Sequence, residues 1–187
     1  MRIITGSAKG LKLKSPANNF TRPTSDRIKE SLFSVLSNIK NFSEIGNVLD
    51  IFAGTGALAL ESLSRGADNA IMIDNATADI ISENVRRAKF ESLCKVYRGD
   101  YIKILKRISK QDLKFDLIFS DPPYKKGLAQ SSINLSAELE LLQSGGIFVA
   151  EYGADENLIA PKNFESLRKI IYGKTTAIEI FGFMKGV

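Results

Sequence analysis

The chain has 187 residues, of which 44% are hydrophobic and 25% are charged, and its formal net charge is +5. This is the composition of a globular protein with one sizeable core, and no apolar run approaches the roughly 18 residues that a membrane-spanning helix needs. The absence of histidine and the presence of a single cysteine, Cys94, exclude histidine-based catalysis, histidine or multi-cysteine metal sites and an internal disulfide.

The chain begins with a basic arm. Residues 1–29 hold seven lysines and arginines against one aspartate, a net charge of +6, whereas residues 30–187 sum to −1. We therefore expect the positive field to belong to the arm and to attract a polyanion such as nucleic acid, the alternative being an ordinary solvated surface. Residues 2–5 and 12–14 are predicted to form short strands, and residues 28–39 carry apolar side chains at helical spacing.

A glycine-rich turn follows the first predicted strand of the main sheet, residues 48–52. Gly54 and Gly56 permit a tight turn and a close approach of the backbone to a ligand. The next strand ends at Asp74, at the spacing from the turn where such folds place an acid for ribose hydroxyls. The pattern also fits a dinucleotide site. However, Asp50 just before the turn would repel a pyrophosphate and attract the ammonium of an amino-acid-like tail, which favours S-adenosylmethionine over NAD. A hydrogen-bonded turn acid is the other interpretation of Asp50.

The remaining elements alternate between helix and strand as far as the fifth strand. Asp100 follows a third strand and is placed to accept a hydrogen bond from an adenine amino group. The pattern predicts a doubly wound α/β fold whose last two strands form an antiparallel hairpin. The predicted helices are residues 75–93, 101–108 and 135–142, and the predicted strands are residues 95–97, 115–120, 146–151, 167–172 and 177–181.

The predicted strand at residues 115–120 runs directly into Asp121-Pro122-Pro123-Tyr124. Prolines cannot continue a β-ladder, so Asp121 and Tyr124 are expected on a stiffened loop at the carboxyl end of the strand, where ligands bind in open α/β sheets. A rigid acceptor beside a flat ring suits a planar base that carries an amino group. The loop continues with two lysines that suit contacts with phosphates.

These motifs together resemble the class I S-adenosylmethionine-dependent methyltransferases. More narrowly, the chain is similar to the RsmD family, which methylates the exocyclic N2 of a guanine in 16S ribosomal RNA. The resemblance rests on Arg22-Pro23-Thr24-Ser25-Asp26-Arg27, on residues 49–58 and on Asp121-Pro122-Pro123-Tyr124, and it runs nearly end to end. One departure is Asp74, where the family commonly has glutamate: its side chain still offers a carboxylate but reaches less far toward a ribose.

The resemblance implies a Rossmann-like, seven-stranded, mostly parallel sheet in residues 43–187, with residues 1–42 as a basic arm and helix packed on it. It implies S-adenosylmethionine as cofactor, ribosomal RNA, the small ribosomal subunit or its assembly intermediate as partner, and a monomeric state. From the single cysteine we expect a cytoplasmic location, and from the lack of a long apolar run we expect no membrane partner. Asp121 and Pro122 would accept the N–H bonds of the amine, and Tyr124 would stack on the flipped base. The other implied site residues bind cofactor (Asp50, Phe52, Gly54, Gly56, Asp74, Asp100, Thr24) or RNA (Arg2, Lys9, Lys12, Arg22, Arg27, Lys125, Lys126).

Four other functions stay open at this point. A DNA adenine-N6 methyltransferase could use the same box, although it normally needs a target-recognition domain for which the chain has no room. A protein glutamine methyltransferase is similar but usually has asparagine in place of Asp121. A non-catalytic RNA-binding assembly factor could keep the same fold. An NAD-linked oxidoreductase fits least, because nothing in the chain resembles a hydride-transfer site.

Overall fold

The computed structural model describes residues 1–16 and 26–184, so Arg22 and Thr24 of the predicted site lie outside the described residues. None of the helices in the described part is long and apolar enough to cross a bilayer. The helices are α1 (Asp26–Ile39), α2 (Ala57–Ser64), α3 (Ala78–Ala88), α4 (Tyr101–Ser109) and α5 (Leu128–Glu138), with a 3₁₀ turn at Phe42–Glu44. The strands are β1 (Asn47–Asp50), β2 (Asn69–Asp74), β3 (Cys94–Arg98), β4 (Phe115–Ser120), β5 (Leu142–Gly153), β6 (Phe164–Tyr172) and β7 (Thr176–Phe183).

The strands form a single sheet in the order β3-β2-β1-β4-β5-β7-β6. The first five pair in parallel, and β7 runs antiparallel between β5 and β6. Helices α1 to α3 cover one face and α4 and α5 the other, each face with its own apolar core. All six residues of β4 are buried, as expected for a strand in the middle of a sheet covered on both faces. The doubly wound sheet and its closing hairpin are confirmed.

The N-terminal arm is fastened to α2 by Glu61. Its fully buried carboxylate accepts the backbone N–H groups of Ile4 (2.7 Å) and Thr5 (3.0 Å). Two cations, Lys29 of α1 (3.1 Å) and Arg65 (2.9 Å), pair with the same carboxylate. Burial lowers the pKa of Lys29, and the adjacent carboxylate opposes that shift. Deleting the arm would therefore remove two hydrogen-bond donors from a buried acid.

Two predicted elements differ from the structure. The two segments of the arm do run antiparallel, joined by the bridge between Arg2 and Lys12 and by three backbone hydrogen bonds, but neither forms a continuous strand. The N–H groups of Ile4, Thr5 and Ala8 bond instead to side chains of α2, and that of Lys14 bonds to a side chain of α3. The helix predicted at residues 135–142 is wrong, since α5 spans Leu128–Glu138 and Leu142 already begins β5. Helix α5 begins after Gly127, whose φ of 65° makes a left-handed N-cap, and the chain turns at Glu140, whose φ is 49°.

Candidate active site

The predicted acids meet at the carboxyl edge of the sheet. Asp50 and Asp74 are the last residues of β1 and β2, Asp100 follows β3 and Asp121 follows β4. Because these four strands are neighbours and parallel, their carboxyl ends lie side by side. The structure thus brings four acids from distant parts of the sequence to one edge.

Asp50 is a buried carboxylate with an unmet need for a donor. It is 1% exposed, and neither oxygen has a hydrogen-bond partner among the described residues. The backbone N–H of Ala59 faces the carboxylate and lowers its pKa somewhat, without reaching hydrogen-bond geometry. Burial, followed by the negative charge of Asp74, raises the pKa of Asp50 to about 7. An unpaired buried carboxylate is costly, so this position suits a ligand that brings a positively charged N–H donor.

The turn after Asp50 depends on its two glycines for different reasons. Gly56 has a φ of 79°, and a Cβ there would lie 3.0 Å from the Met72 sulfur and 3.3 Å from Ile81. A side chain at this position would be both strained and crowded. Gly54 has a φ of 56°, and a Cβ there would project into open space. The surface beside Gly54 is therefore accessible to a ligand that approaches the backbone closely.

Asp74 and Asp100 already make bonds within the protein. Asp74 accepts the N–H groups of Gly54 (2.9 Å), Ala76 (2.8 Å) and Thr77 (2.8 Å), so it holds the glycine turn against the start of α3. A carboxylate accepts about four hydrogen bonds, which leaves little capacity for a ribose hydroxyl. Asp100 caps α4 through the N–H of Lys103 (3.0 Å). Their predicted contacts with the cofactor remain predictions, as does that of Phe52, whose ring lies 4.9 Å from that of Tyr101.

The Asp121-Pro122-Pro123-Tyr124 loop is held at both ends. Before it, the Ser120 hydroxyl lies 2.7 Å from that of Ser132 in α5. After it, the Tyr124 hydroxyl donates to Glu151 Oε1 (2.6 Å) and lies 3.1 Å from the Thr176 hydroxyl. Burial and the bond to Glu151 raise the pKa of Tyr124, which keeps the phenol protonated at neutral pH. The tyrosine ring is thereby fixed beside the predicted catalytic acid.

Glu151 is a site residue that the sequence analysis missed. Ser120 of β4 pairs with Ala150 of β5, so Asp121 and Glu151 follow at neighbouring, parallel strand positions. Such positions are about 4.8 Å apart. Glu151 is 9% exposed, and its hydrogen bond from Tyr124 aims it toward the loop. The available signal was the one used for Asp121, an acid directly after an apolar strand segment.

Within residues 1–16 and 26–184, the predicted RNA-binding residues do not form one cluster. Lys125 and Lys126 follow the box directly, and Lys125 pairs with Asp155 (2.9 Å). The arm runs along α2, with its Gly6–Ala8 bend at Ser64, so Lys9 lies at the end of the helix farther from the glycine turn. Arg2 is exposed and pairs with Asp26 (3.4 Å), while Lys12 and Arg27 are exposed.

Asn84 of α3 connects Lys14 of the arm to the glycine turn. This fully buried amide accepts the N–H of Lys14 (2.7 Å) and donates to the carbonyls of Lys14 (3.0 Å) and Thr55 (2.9 Å). The arm therefore connects the glycine turn with the body of α3.

Known proteins are similar to this chain in sequence and in fold. The chain matches the profile of the family described as Conserved hypothetical protein 95 over residues 1–181. It is 35% identical over 181 residues to the ribosomal RNA small subunit methyltransferase D of Haemophilus influenzae, a match that covers 95% of this chain and 90% of the relative. A solved H. influenzae protein described as a methylase superposes with a TM-score of 0.81 at 29% identity, and 98% of each chain is covered.

More distant structures show the same fold. An RNA methyltransferase from Salinibacter ruber, solved in complex with S-adenosyl-L-homocysteine, has a TM-score of 0.63 at 13% identity, with 88% of this chain and 95% of that chain covered. The comparisons confirm the methyltransferase fold predicted from the sequence.

Proposed function

Because the chain belongs to the RsmD family of methyltransferases, we propose that it transfers a methyl group from S-adenosylmethionine to the exocyclic N2 of a guanine in 16S ribosomal RNA. The RNA would be presented by the small ribosomal subunit or by an assembly intermediate. Support comes from the relative named as a small-subunit ribosomal RNA methyltransferase and from the chemistry of the site.

The carboxyl edge fits the proposed cofactor. When bound, S-adenosylmethionine supplies a methyl group already activated on a sulfonium. Asp50 would accept hydrogen bonds from the cofactor's ammonium group, which would give its two carboxylate oxygens the partners that they lack among the described residues. The open backbone at Gly54 would permit close approach, and Asp74 and Asp100 would lie at the rim beside ribose and adenine.

The choice of guanine over adenine rests on the neighbouring carboxylates Asp121 and Glu151. The Watson–Crick edge of guanine offers N–H donors at both N1 and N2, whereas adenine has a lone pair at N1. Two adjacent acceptors complement two adjacent donors, and a carboxylate facing the adenine N1 would be repelled. This pair of acids is the single observation that favours guanine.

Positioning carries most of the proposed reaction. The N2 lone pair is delocalised into the ring, so the free amine is a weak nucleophile. Asp121 and the Pro122 carbonyl would accept its N–H bonds and direct the lone pair toward the methyl carbon. The N–C bond forms as the C–S bond breaks in line, and the amine proton leaves to Asp121 or to water. The Tyr124 ring, held by Glu151, would stack on the extruded base.

The test compares wild-type protein with Asp121→Ala on 16S RNA and small subunits from a strain that lacks the enzyme. We expect Asp121→Ala to abolish methyl transfer while calorimetry shows unchanged cofactor binding. Loss of cofactor binding in this variant would instead assign Asp121 a structural role.

A second comparison addresses the base. In a synthetic RNA, 2,6-diaminopurine replaces the target guanine. This base keeps the N2 amine but has a lone pair at N1 instead of an N–H group. Wild-type protein should prefer guanine, and Glu151→Gln should narrow that preference because its amide can donate to N1. Glu179→Gln, which changes another buried acid whose partners are Tyr152 and Ser166, is the control and should keep the preference. Equal ratios in wild type and Glu151→Gln would argue against a role for Glu151 in reading the base.

A further inference from the structure

The structure carries a second basic surface, at the sheet edge formed by β3. Residues 86–110 hold nine lysines and arginines against two acids, a net charge of +7, and all nine cations are exposed. Acidic residues elsewhere in residues 30–187 cancel this charge in the sum over that segment. The net charge of the segment therefore indicated a positive field at the arm alone. We call this surface the basic edge: Arg86, Arg87, Lys89, Lys95, Arg98, Lys103, Lys106, Arg107 and Lys110.

Helix α4 presents its share of the basic edge as a single stripe. Lys103, Lys106, Arg107 and Lys110 are spaced i, i+3, i+4 and i+7, so they share one face, while Tyr101, Leu105 and Ile108 bury the opposite face. None of these four cations makes a salt bridge with a described residue. Like charges at i, i+4 weaken a helix, so the stripe has a small stability cost that a polyanionic partner would offset.

The basic edge adjoins Lys14 of the arm. Lys14 pairs with Glu83 of α3 (2.6 Å). The hydrogen bond from Lys14, with smaller contributions from the charges of Arg86 and Arg87, holds the pKa of Glu83 below its usual range. On the other side of α3, Asp79 pairs with Arg98 of β3 (2.5 Å). Both acids of α3 that face this surface are thus engaged by cations.

The position of the basic edge suits a long substrate. Asp100, at the carboxyl edge of the sheet, is the N-cap of α4, so Lys103 lies within one helical turn of that edge. From Lys103 to Lys110 the stripe extends about 10 Å away from the edge. Strand β3 is three places from β4 in the sheet, roughly 14 Å from the strand that carries Asp121. A folded RNA whose base reaches Asp121 could span both.

We propose that the basic edge binds the phosphate backbone of the RNA substrate and orients it over the active site. This rests on the proposed function, in that the polyanion is taken to be the RNA that is methylated. Single-charge contacts with phosphates add to affinity in a salt-dependent way and carry no sequence information.

The test uses Lys106→Gln/Lys110→Gln, which removes two cations from the stripe and keeps good helix formers. The matched control is Lys162→Gln/Lys169→Gln, which removes two exposed cations at or next to β6, the opposite edge of the sheet. Binding of 16S RNA transcript is measured from about 50 to 200 mM salt, with cofactor affinity, KM and kcat measured alongside.

We expect the slope of log K against log salt to become shallower by about 1.5 in the stripe variant, since each phosphate contact contributes about 0.7–0.9. Its KM for RNA should rise severalfold with kcat and cofactor affinity unchanged, and Lys106→Arg/Lys110→Arg should restore both slope and KM. An unchanged slope, or an equal loss in the β6 control, would overturn the proposal. Failure of the proposed function would look different, because wild-type protein would then transfer no methyl group either to this RNA or to small subunits from a strain that lacks the enzyme.

Discussion

Replacing Asp50 by asparagine should make the cofactor-free protein more stable and its cofactor binding weaker. The carboxylate is buried and has no hydrogen-bond partner among the described residues, so ionising it in the folded state is unfavourable. Its pKa is about 7 when folded against 3.8 in the reference state. A raised acid pKa means that the folded protein binds the extra proton. The contribution of Asp50 to the free energy of unfolding is therefore largest at low pH and is lost as the pH rises from about 4 through 7.

The size of the effect follows from the same two values. Proton linkage gives a cost of about 2 kcal/mol at pH 5 and about 4 kcal/mol at pH 8 for the ionisable side chain relative to a neutral one. The stability difference between Asp50→Asn and wild type should therefore grow by about 2–3 kcal/mol in favour of the variant across that range. Urea unfolding of both proteins without cofactor, at half-unit pH steps, measures it directly.

Asp116→Asn is the matched control, because Asp116 is also buried but its oxygens have partners. It accepts from Lys40 (2.9 Å) and from the N–H groups of Gly46 (2.9 Å) and Asn47 (3.0 Å). Asp116→Asn should lower the free energy of unfolding by about 1–3 kcal/mol, a change of opposite sign to that expected for Asp50→Asn.

Calorimetry should show that S-adenosylmethionine binds Asp50→Asn roughly 10- to 100-fold more weakly than wild type, as expected for a lost charge-assisted bond. Parallel pH profiles for wild type and Asp50→Asn would refute the reasoning.

Two further predictions concern the supports of the site. Lys29→Met should lower the free energy of unfolding by about 3–5 kcal/mol, because it leaves the buried Glu61 without one of its two cations; a loss below about 1 kcal/mol in urea unfolding would contradict this. Tyr124→Phe should cost about 2 kcal/mol of stability through the lost bond to Glu151 but should keep methyl transfer, whereas Tyr124→Ala should also raise KM for RNA by losing the stacking ring. Equal KM values for the two Tyr124 variants would argue against stacking.

Much of the fold could be predicted because its signals are local. The apolar runs that end in Asp50, Asp74 and Asp121 identify strands, and glycines at 54 and 56 identify the turn between strand and helix. Parallel neighbouring strands then bring these residues to one edge without further information. The boundary of α5 could not be read in this way, since Leu139, Leu141 and Leu142 continue an apolar pattern past the end of the helix.

What the sequence could not reveal depends on contacts between distant residues. The bond between Tyr124 and Glu151 spans 27 positions, and nothing near either residue announces it. Asp74 carries the right residue type for ribose, yet its carboxylate already accepts hydrogen bonds from the backbone of its own turn and from Gly54 in the glycine turn. The basic edge was missed for another reason: the net charge was summed over residues 30–187, where it cancels, whereas a sum over residues 86–110 alone gives +7.

The central claim is tested most directly by identifying the methylated nucleoside. Small subunits and 16S RNA from a strain that lacks the enzyme are incubated with purified protein and methyl-labelled S-adenosylmethionine, and the RNA is digested to nucleosides for chromatography and mass spectrometry. The proposed function predicts label in N2-methylguanosine for wild-type protein and none for Asp121→Ala. Label in N6-methyladenosine, or none in wild type, would contradict it.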